Sequence, residues 1–210
     1  MTREKLLKKQ MIAIGRKLYA CGLLIARAGN LSCRLDRDNI LITASGSCLG
    51  SLTPSDIVKN GISGEALYDG KKKPSSELPV HSFIYREFPD NKIVLHCHPP
   101  LTNAYFAVYP ALKVLTFETR YYLGDVPVVE QGSLTVSKPR LVIAALKQNS
   151  LAVIRSHGIF AIGADFQTAL ERVQILEEAA RVAAVARLFN KKSLDILDRR
   201  IKKSLARKIR

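Results

Sequence analysis

Two short apolar runs that lead into histidine constrain this chain more than any other feature. Ile93-Val94-Leu95 leads into His96-Cys97-His98, and Leu151-Ala152-Val153-Ile154 precedes His157. The chain has only four histidines. In a strand, residues i and i+2 point to the same face. His96 and His98 therefore project together, and Cys97 turns away. Three neutral imidazoles with one open position make a catalytic divalent site, with zinc the expected metal. An H-x-H pair alone is weak, since a lone histidine is more commonly a surface or core residue. The second run, with its histidine and glycine, strengthens the reading, because strand ends are where open α/β sites are built. The fold must then bring distant stretches of chain to one point.

The 210 residues suit one domain with a helical extension: residues 1–190 as the catalytic unit and 191–210 as a basic helical tail. No apolar stretch is long enough to span a bilayer, and MTREKLLKKQ lacks the apolar region of a signal peptide. Cys21, Cys33, Cys48 and Cys97 form no CxxC pair and read as reduced thiols of a cytoplasmic protein. The formal charge is +15, from 33 Lys and Arg against 18 Asp and Glu. That excess permits nucleic-acid or membrane-surface binding and equally suits a phosphorylated substrate. It concentrates in the tail, which lacks aromatic interleaving and a nucleic-acid motif, so a solvated helix is the expectation there.

Periodicity predicts helices over residues 3–22, 78–88, 101–108, 135–148 and 165–189, and another from about Ser193. Residues 28–35 and 38–46 read as two strands joined by a turn at Asp36–Asn39. Residues 93–98, 151–154 and 159–162 read as strands, 112–130 as β-rich, and 60–73 as a hairpin or loop. Asp165 caps the long helix. The mixture predicts an α/β fold, a three-layer α/β/α domain around a mixed, largely antiparallel central sheet.

Three polar segments accompany the histidines. AGNLS offers a permissive glycine, Gly29, and the amide of Asn30. ASG offers Ser45 and Gly46. PSSE sets Ser75 and Ser76 beside Glu77 at a helix start, where unpaired N–H groups attract anions. Each alone reads as an ordinary turn; together they supply phosphate donors, a base and a metal. His81, one helical turn from Glu77, could orient the carboxylate or be structural.

The joint pattern resembles the class II aldolase/adducin-head family. It is carried by AGNLS, ILITASG with LTPSDIV, KPSSELPVHSFIYREFPD, IVLHCHPP, and IRSHGIFAIG with ALERVQILEEAA, across most of residues 20–185. Within that family the chain looks most like the L-fuculose-phosphate aldolase type. The resemblance implies that His96, His98 and His157 bind zinc, with Glu77 as catalytic acid/base and fourth ligand when substrate is absent. It implies that Gly29, Asn30, Ser45, Gly46, Ser75 and Ser76 hold the substrate phosphate. It also implies a homotetramer with active sites at subunit boundaries, cleaving a ketose phosphate to dihydroxyacetone phosphate and a short aldehyde. Glutamate at position 77 separates it from sugar-phosphate 4-epimerases, which typically carry aspartate there. The 4-epimerase and methylthioribulose-1-phosphate dehydratase readings stay open, as does an adducin-head-like binding module without metal. The chain departs from the aldolase type at Arg27, where a small hydroxyl residue is expected. It departs again where that type uses tyrosines: Phe117 falls near one, and the C-terminal segment has none. Tyr121 or Tyr122 could substitute.

Overall fold

The computed structural model describes residues 1–64, 67, 72–133, 135–189, 199–201 and 203. Among these, seven strands form one sheet: β1 (Asn30–Arg34), β2 (Asn39–Thr43), β3 (Ile57–Gly61), β4 (Ile93–Cys97), β5 (Val128–Val129), β6 (Leu151–Ile154) and β7 (Gly158–Gly163). Their spatial order is β3-β2-β1-β4-β7-β6-β5. Every pairing is antiparallel except β5 with β6. The helices are α1 (Arg3–Ala20), α2 (Leu78–Glu87), α3 (Pro100–Val108), α4 (Phe117–Leu123), α5 (Pro139–Leu146) and α6 (Phe166–Ala186).

Strand alternation sorts the core into two layers. Ile93, Leu95 and Cys97 of β4 face α1, α3, α4 and α6, in a cluster with Leu18, Phe106, Leu123 and Val173. Val94 faces the opposite way, with Ile84 of α2, Val142 of α5 and Phe160 of β7. Helices thus cover both faces, which is the expected three-layer α/β/α arrangement. The central strands are buried on both sides and so read as unbroken apolar runs. Asp165 caps α6, its carboxylate accepting the Thr168 N–H at 2.8 Å.

Four expectations need correction. Residues 112–130 hold α4 and only a two-residue strand, not a β-rich segment. Thr116 caps α4, its hydroxyl accepting the Thr119 N–H at 3.1 Å. Its Tyr and Thr residues favour strands only where sheet neighbours exist, and here the segment packs on α6 instead. The strand β3 was missed, because Ile57-Val58 is too short a run to stand out. The helix expected from residue 135 starts at Pro139, and α6 ends at Ala186. Most of the tail helix expected from Ser193 lies outside the described residues. Of its described members, Arg199 and Arg200 are exposed and Ile201 is buried.

Candidate metal centre

The site forms at one end of the sheet, where β2, β4 and β6 finish and β1 and β7 begin. Antiparallel pairing places these termini together. Asn30 sits opposite His96, and His96 opposite Phe160. His98 lies just past β4. His157 is carried on the tight β6–β7 connection, where Ser156 adopts a positive φ of 57°. That left-handed conformation costs a non-glycine residue about 1 kcal/mol. It is held by neighbours: the Asn103 amide donates to the His157 carbonyl at 3.2 Å, and Arg155 donates to the Tyr109 carbonyl at 3.2 Å.

The three rings meet. His98 Nε2 and His157 Nε2 lie 3.0 and 3.1 Å from His96 Nε2. One ligand atom from each residue falls within 4.8 Å of the others, with His96 buried and the other two half-buried. His96 Nδ1–H donates to the Ile159 carbonyl at 2.9 Å, which leaves its Nε2 lone pair aimed into the cluster. Burial, with the charges of its two neighbours, holds the His96 ring well below the ordinary imidazole range. Burial and then His157 hold His98 at about 4, and burial lowers His157. Neutral, converging nitrogens are the donor set that a divalent cation requires. The residues therefore fit a metal, and the two distances from His96 Nε2 are near the roughly 3.4 Å edge of a tetrahedral zinc site with Zn–N bonds of about 2.0–2.1 Å.

Glu77 stands beside this cluster at the start of α2. Its carboxylate is 6% exposed and lies 3.5 Å from His96 Nε2 and 3.7 Å from His157 Nε2. It accepts from Asn30 Nδ2 at 3.5 Å and from the Val136 N–H at 3.3 Å. Burial raises its pKa, and the Asn30 and Val136 bonds only partly offset that. A raised pKa makes this carboxylate a stronger base than an exposed one.

The three polar segments converge at the same end. The Ser45 N–H donates to the Lys73 carbonyl at 2.9 Å, and the Ser75 N–H donates to the Thr43 carbonyl at 3.0 Å. Ala44 bridges to Pro74. The Ser45 and Ser76 side chains are exposed, whereas Ser75 is buried and accepts the Glu77 N–H at 3.3 Å. Gly46 has φ 75°, and a Cβ there would point toward Arg27 Nη1, 4.0 Å away. That leaves Arg27 beside the loop rather than turned off it. Gly29 has φ 86°, and a Cβ there would come within 2.7 Å of the His96 carbonyl oxygen. Cys97 is fully buried in the opposite layer, and burial pushes its thiol pKa up. Phe117, Tyr121 and Tyr122 stand exposed on α4. Asp125 pairs with Arg120 at 2.7 Å, and Asp56 bonds Thr53 and Lys72.

Sequence reasoning missed Val136 and read no packing role for Gly158. Val136 acts through its backbone N–H, which no side-chain pattern signals. At Gly158 a Cβ would fall 2.5 Å from the Cys97 carbonyl oxygen and 3.1 Å from the rings of His96 and His98. The glycine directly after His157 was the available signal.

Residues 9–184 match the family described as Class II Aldolase and Adducin N-terminal domain. The chain is 31% identical over 187 residues to the L-fuculose phosphate aldolase of Methanocaldococcus jannaschii, covering 88% of this chain and 99% of that one. It is also 31% identical over 187 residues to the 3-oxo-tetronate 4-phosphate decarboxylase of Escherichia coli K12, covering 85% and 86%. The crystal structure of L-fuculose-1-phosphate aldolase from Thermus thermophilus superposes with a TM-score of 0.78 at 30% identity, covering 87% and 95%.

Proposed function

Because the chain belongs to the class II aldolase and adducin N-terminal domain family, we propose that it is a metal-dependent lyase of phosphorylated ketoses. In this reading it cleaves a substrate such as L-fuculose 1-phosphate to dihydroxyacetone phosphate and a short aldehyde. The observation that carries it is the Glu77 carboxylate set 3.5–3.7 Å from two members of a three-histidine cluster. His96, His98 and His157 would hold the metal, with Glu77 as a further ligand before substrate arrives. Zinc is our assignment, and when bound it would place a Lewis-acidic charge beside the substrate carbonyl.

The protein groups do the rest. As the hydroxyl on carbon 4 gives up its proton to solvent and becomes the aldehyde oxygen, cleavage of the bond between carbons 3 and 4 leaves its electron pair on carbon 3, delocalised toward the ketone oxygen. Glu77 delivers a proton to that carbon, and in the synthetic direction its carboxylate removes the same proton, a task that its raised pKa favours. Gly29, Asn30, Ser45, Gly46, Ser75 and Ser76 would orient the phosphate at a distance from the reacting carbons. The convergence of their three loops, with Arg27 alongside, supports this.

A second reading rests on the decarboxylase relatives. Loss of carbon 1 of a 3-oxo-tetronate 4-phosphate as CO2 leaves its electron pair on carbon 2, beside the ketone. Protonation there also yields dihydroxyacetone phosphate, so one site could serve either reaction. The leaving group separates them, being an aldehyde in one case and CO2 in the other.

The remaining assignments are coupled to this one. We take residues 1–190 as the catalytic unit and 191–210 as its basic tail. We also read the protein as a homotetramer that completes its sites at subunit boundaries. The aromatic side chains exposed on α4 support that, and light scattering tests it. No helix among the described residues is long and apolar enough to cross a membrane. Together with four unpaired cysteines, this supports a cytoplasmic location. The deciding experiment incubates the protein with ketose 1-phosphates and 3-oxo-tetronate 4-phosphates, with and without chelator. Dihydroxyacetone phosphate plus aldehyde supports the first reading, and dihydroxyacetone phosphate plus CO2 the second. A rearranged or dehydrated sugar phosphate without dihydroxyacetone phosphate points instead to epimerase or dehydratase chemistry. A preparation that binds no stoichiometric metal overturns all of these and favours a binding module.

A further inference from the structure

Behind Glu77 runs a chain of buried polar side chains. His81 and Ser32 are 0% exposed and Tyr85 is 1% exposed. His81 Nε2 lies 2.5 Å from Asn30 Oδ1, and its Nδ1 lies 2.6 Å from Ser32 Oγ. Ser32 Oγ lies 3.0 Å from the Tyr85 hydroxyl. Asn30 Nδ2 then points at Glu77 Oε2.

The directions of these bonds follow from chemistry. A carboxylate accepts and does not donate, so the Asn30 NH2 must face Glu77 and its carbonyl must face His81. An amide carbonyl only accepts, so His81 Nε2 carries the ring proton. Nδ1 is then the bare nitrogen, and it accepts from Ser32. Ser32 in turn accepts from Tyr85. Complete burial holds the ring neutral, with a pKa of about 3, which agrees with this single-proton arrangement. A reversed ring would set two acceptors face to face at Asn30. One tautomer thus fixes the orientation of the amide that meets the carboxylate.

Resting on the lyase reading above, we propose that His81 is a positioning residue, holding the Asn30 amide so that Glu77 is presented to the histidine cluster in one orientation. His81 touches neither the cluster nor the reacting atoms. Its hydrogen-bonded link to Glu77 runs through Asn30.

The test uses the metal-loaded full-length protein and follows hydrogen exchange from the hydroxymethyl carbon of dihydroxyacetone phosphate into deuterium oxide. This reads the Glu77 proton transfer without needing the aldehyde. His81→Leu removes the donor, and His81→Gln restores an N–H near the Nε2 position. The expected result is an exchange rate about 10–100-fold lower for His81→Leu. Bound metal should stay at wild-type stoichiometry, since His96, His98 and His157 make no hydrogen bond to His81. His81→Gln should recover most of the rate. Equal losses in the two variants, or losses that track folded protein or metal content, overturn the proposal. The 15N resonances of the wild-type His81 ring give an independent readout. Protonation at Nδ1 instead of Nε2 also overturns the proposal. A wild-type protein inert in the exchange assay counts against the lyase reading, and the placement of His81 is then decided by the ring tautomer alone.

Discussion

Gly158→Ala tests the claim that the histidine cluster depends on close backbone packing rather than on the histidines alone. The added Cβ would sit 2.5 Å from the Cys97 carbonyl oxygen, against an ordinary carbon–oxygen contact of roughly 3.3 Å. Both atoms belong to paired strands, so relief requires β4 and β7 to part by several tenths of an ångström. Overpacking of this kind costs about 1–3 kcal/mol. For a chain of this size that lowers the apo-protein melting temperature by roughly 2–12 °C. The same methyl would lie 3.1 Å from ring carbons of His96 and His98, and it pushes both rings. Metal sites tolerate ligand displacements of only about 0.2 Å. Metal affinity should therefore fall at least tenfold, which corresponds to about 1.4 kcal/mol. Chelator competition measures the affinity, and calorimetry of the apo form measures the melt. A variant with wild-type affinity and an unchanged melting temperature would refute the packing argument.

Three further outcomes are expected. Glu77→Gln keeps its shape and the Asn30 contact, so metal content and fold persist while turnover drops about 10²–10⁴-fold; full activity would remove Glu77 from the mechanism. Asp56 caps a turn by accepting the Thr53 N–H at 2.8 Å and the Thr53 hydroxyl at 2.6 Å, and it pairs with Lys72 at 2.6 Å. Partial burial raises its pKa, but the Lys72 and Thr53 bonds outweigh this and hold it at about 2. Its stabilisation is complete above about pH 4 and lost as pH falls through about 2. Asp56→Ala should cost about 1 kcal/mol at pH 7 and a clearly smaller amount at pH 2, read by urea unfolding at both values. Glu177 of α6 accepts the Leu101 and Thr102 N–H groups and the Thr102 hydroxyl, at 3.0, 2.8 and 2.8 Å, and so caps α3 just after His98. Glu177→Ala should cost about 2 kcal/mol, seen in denaturant midpoints; no change would mean that other groups take over the cap.

Local patterns carried far in this chain. Alternation in Ile93–His98 put two imidazoles on one side and Cys97 on the other, and both placements hold. The Asp165 cap, the helix start at Leu78 and the apolar strands were legible because each depends on residues a few positions apart. The segment around α4 was not, because its β-favouring side chains meet α6 rather than another strand.

Composition and spacing alone determined that rings and a carboxylate suited to a divalent cation exist in this chain, and on which elements they ride. Only the tertiary structure decided how they are held. The Val136 N–H on Glu77, the Asn30–His81–Ser32–Tyr85 chain and the space kept by Gly158 join residues 53 to 61 positions apart in some pairs. Such contacts arise when α2 and the loop before α5 close onto the sheet and its antiparallel strands pair. The free energy of each depends on what lies across the sheet, which no window along the chain contains.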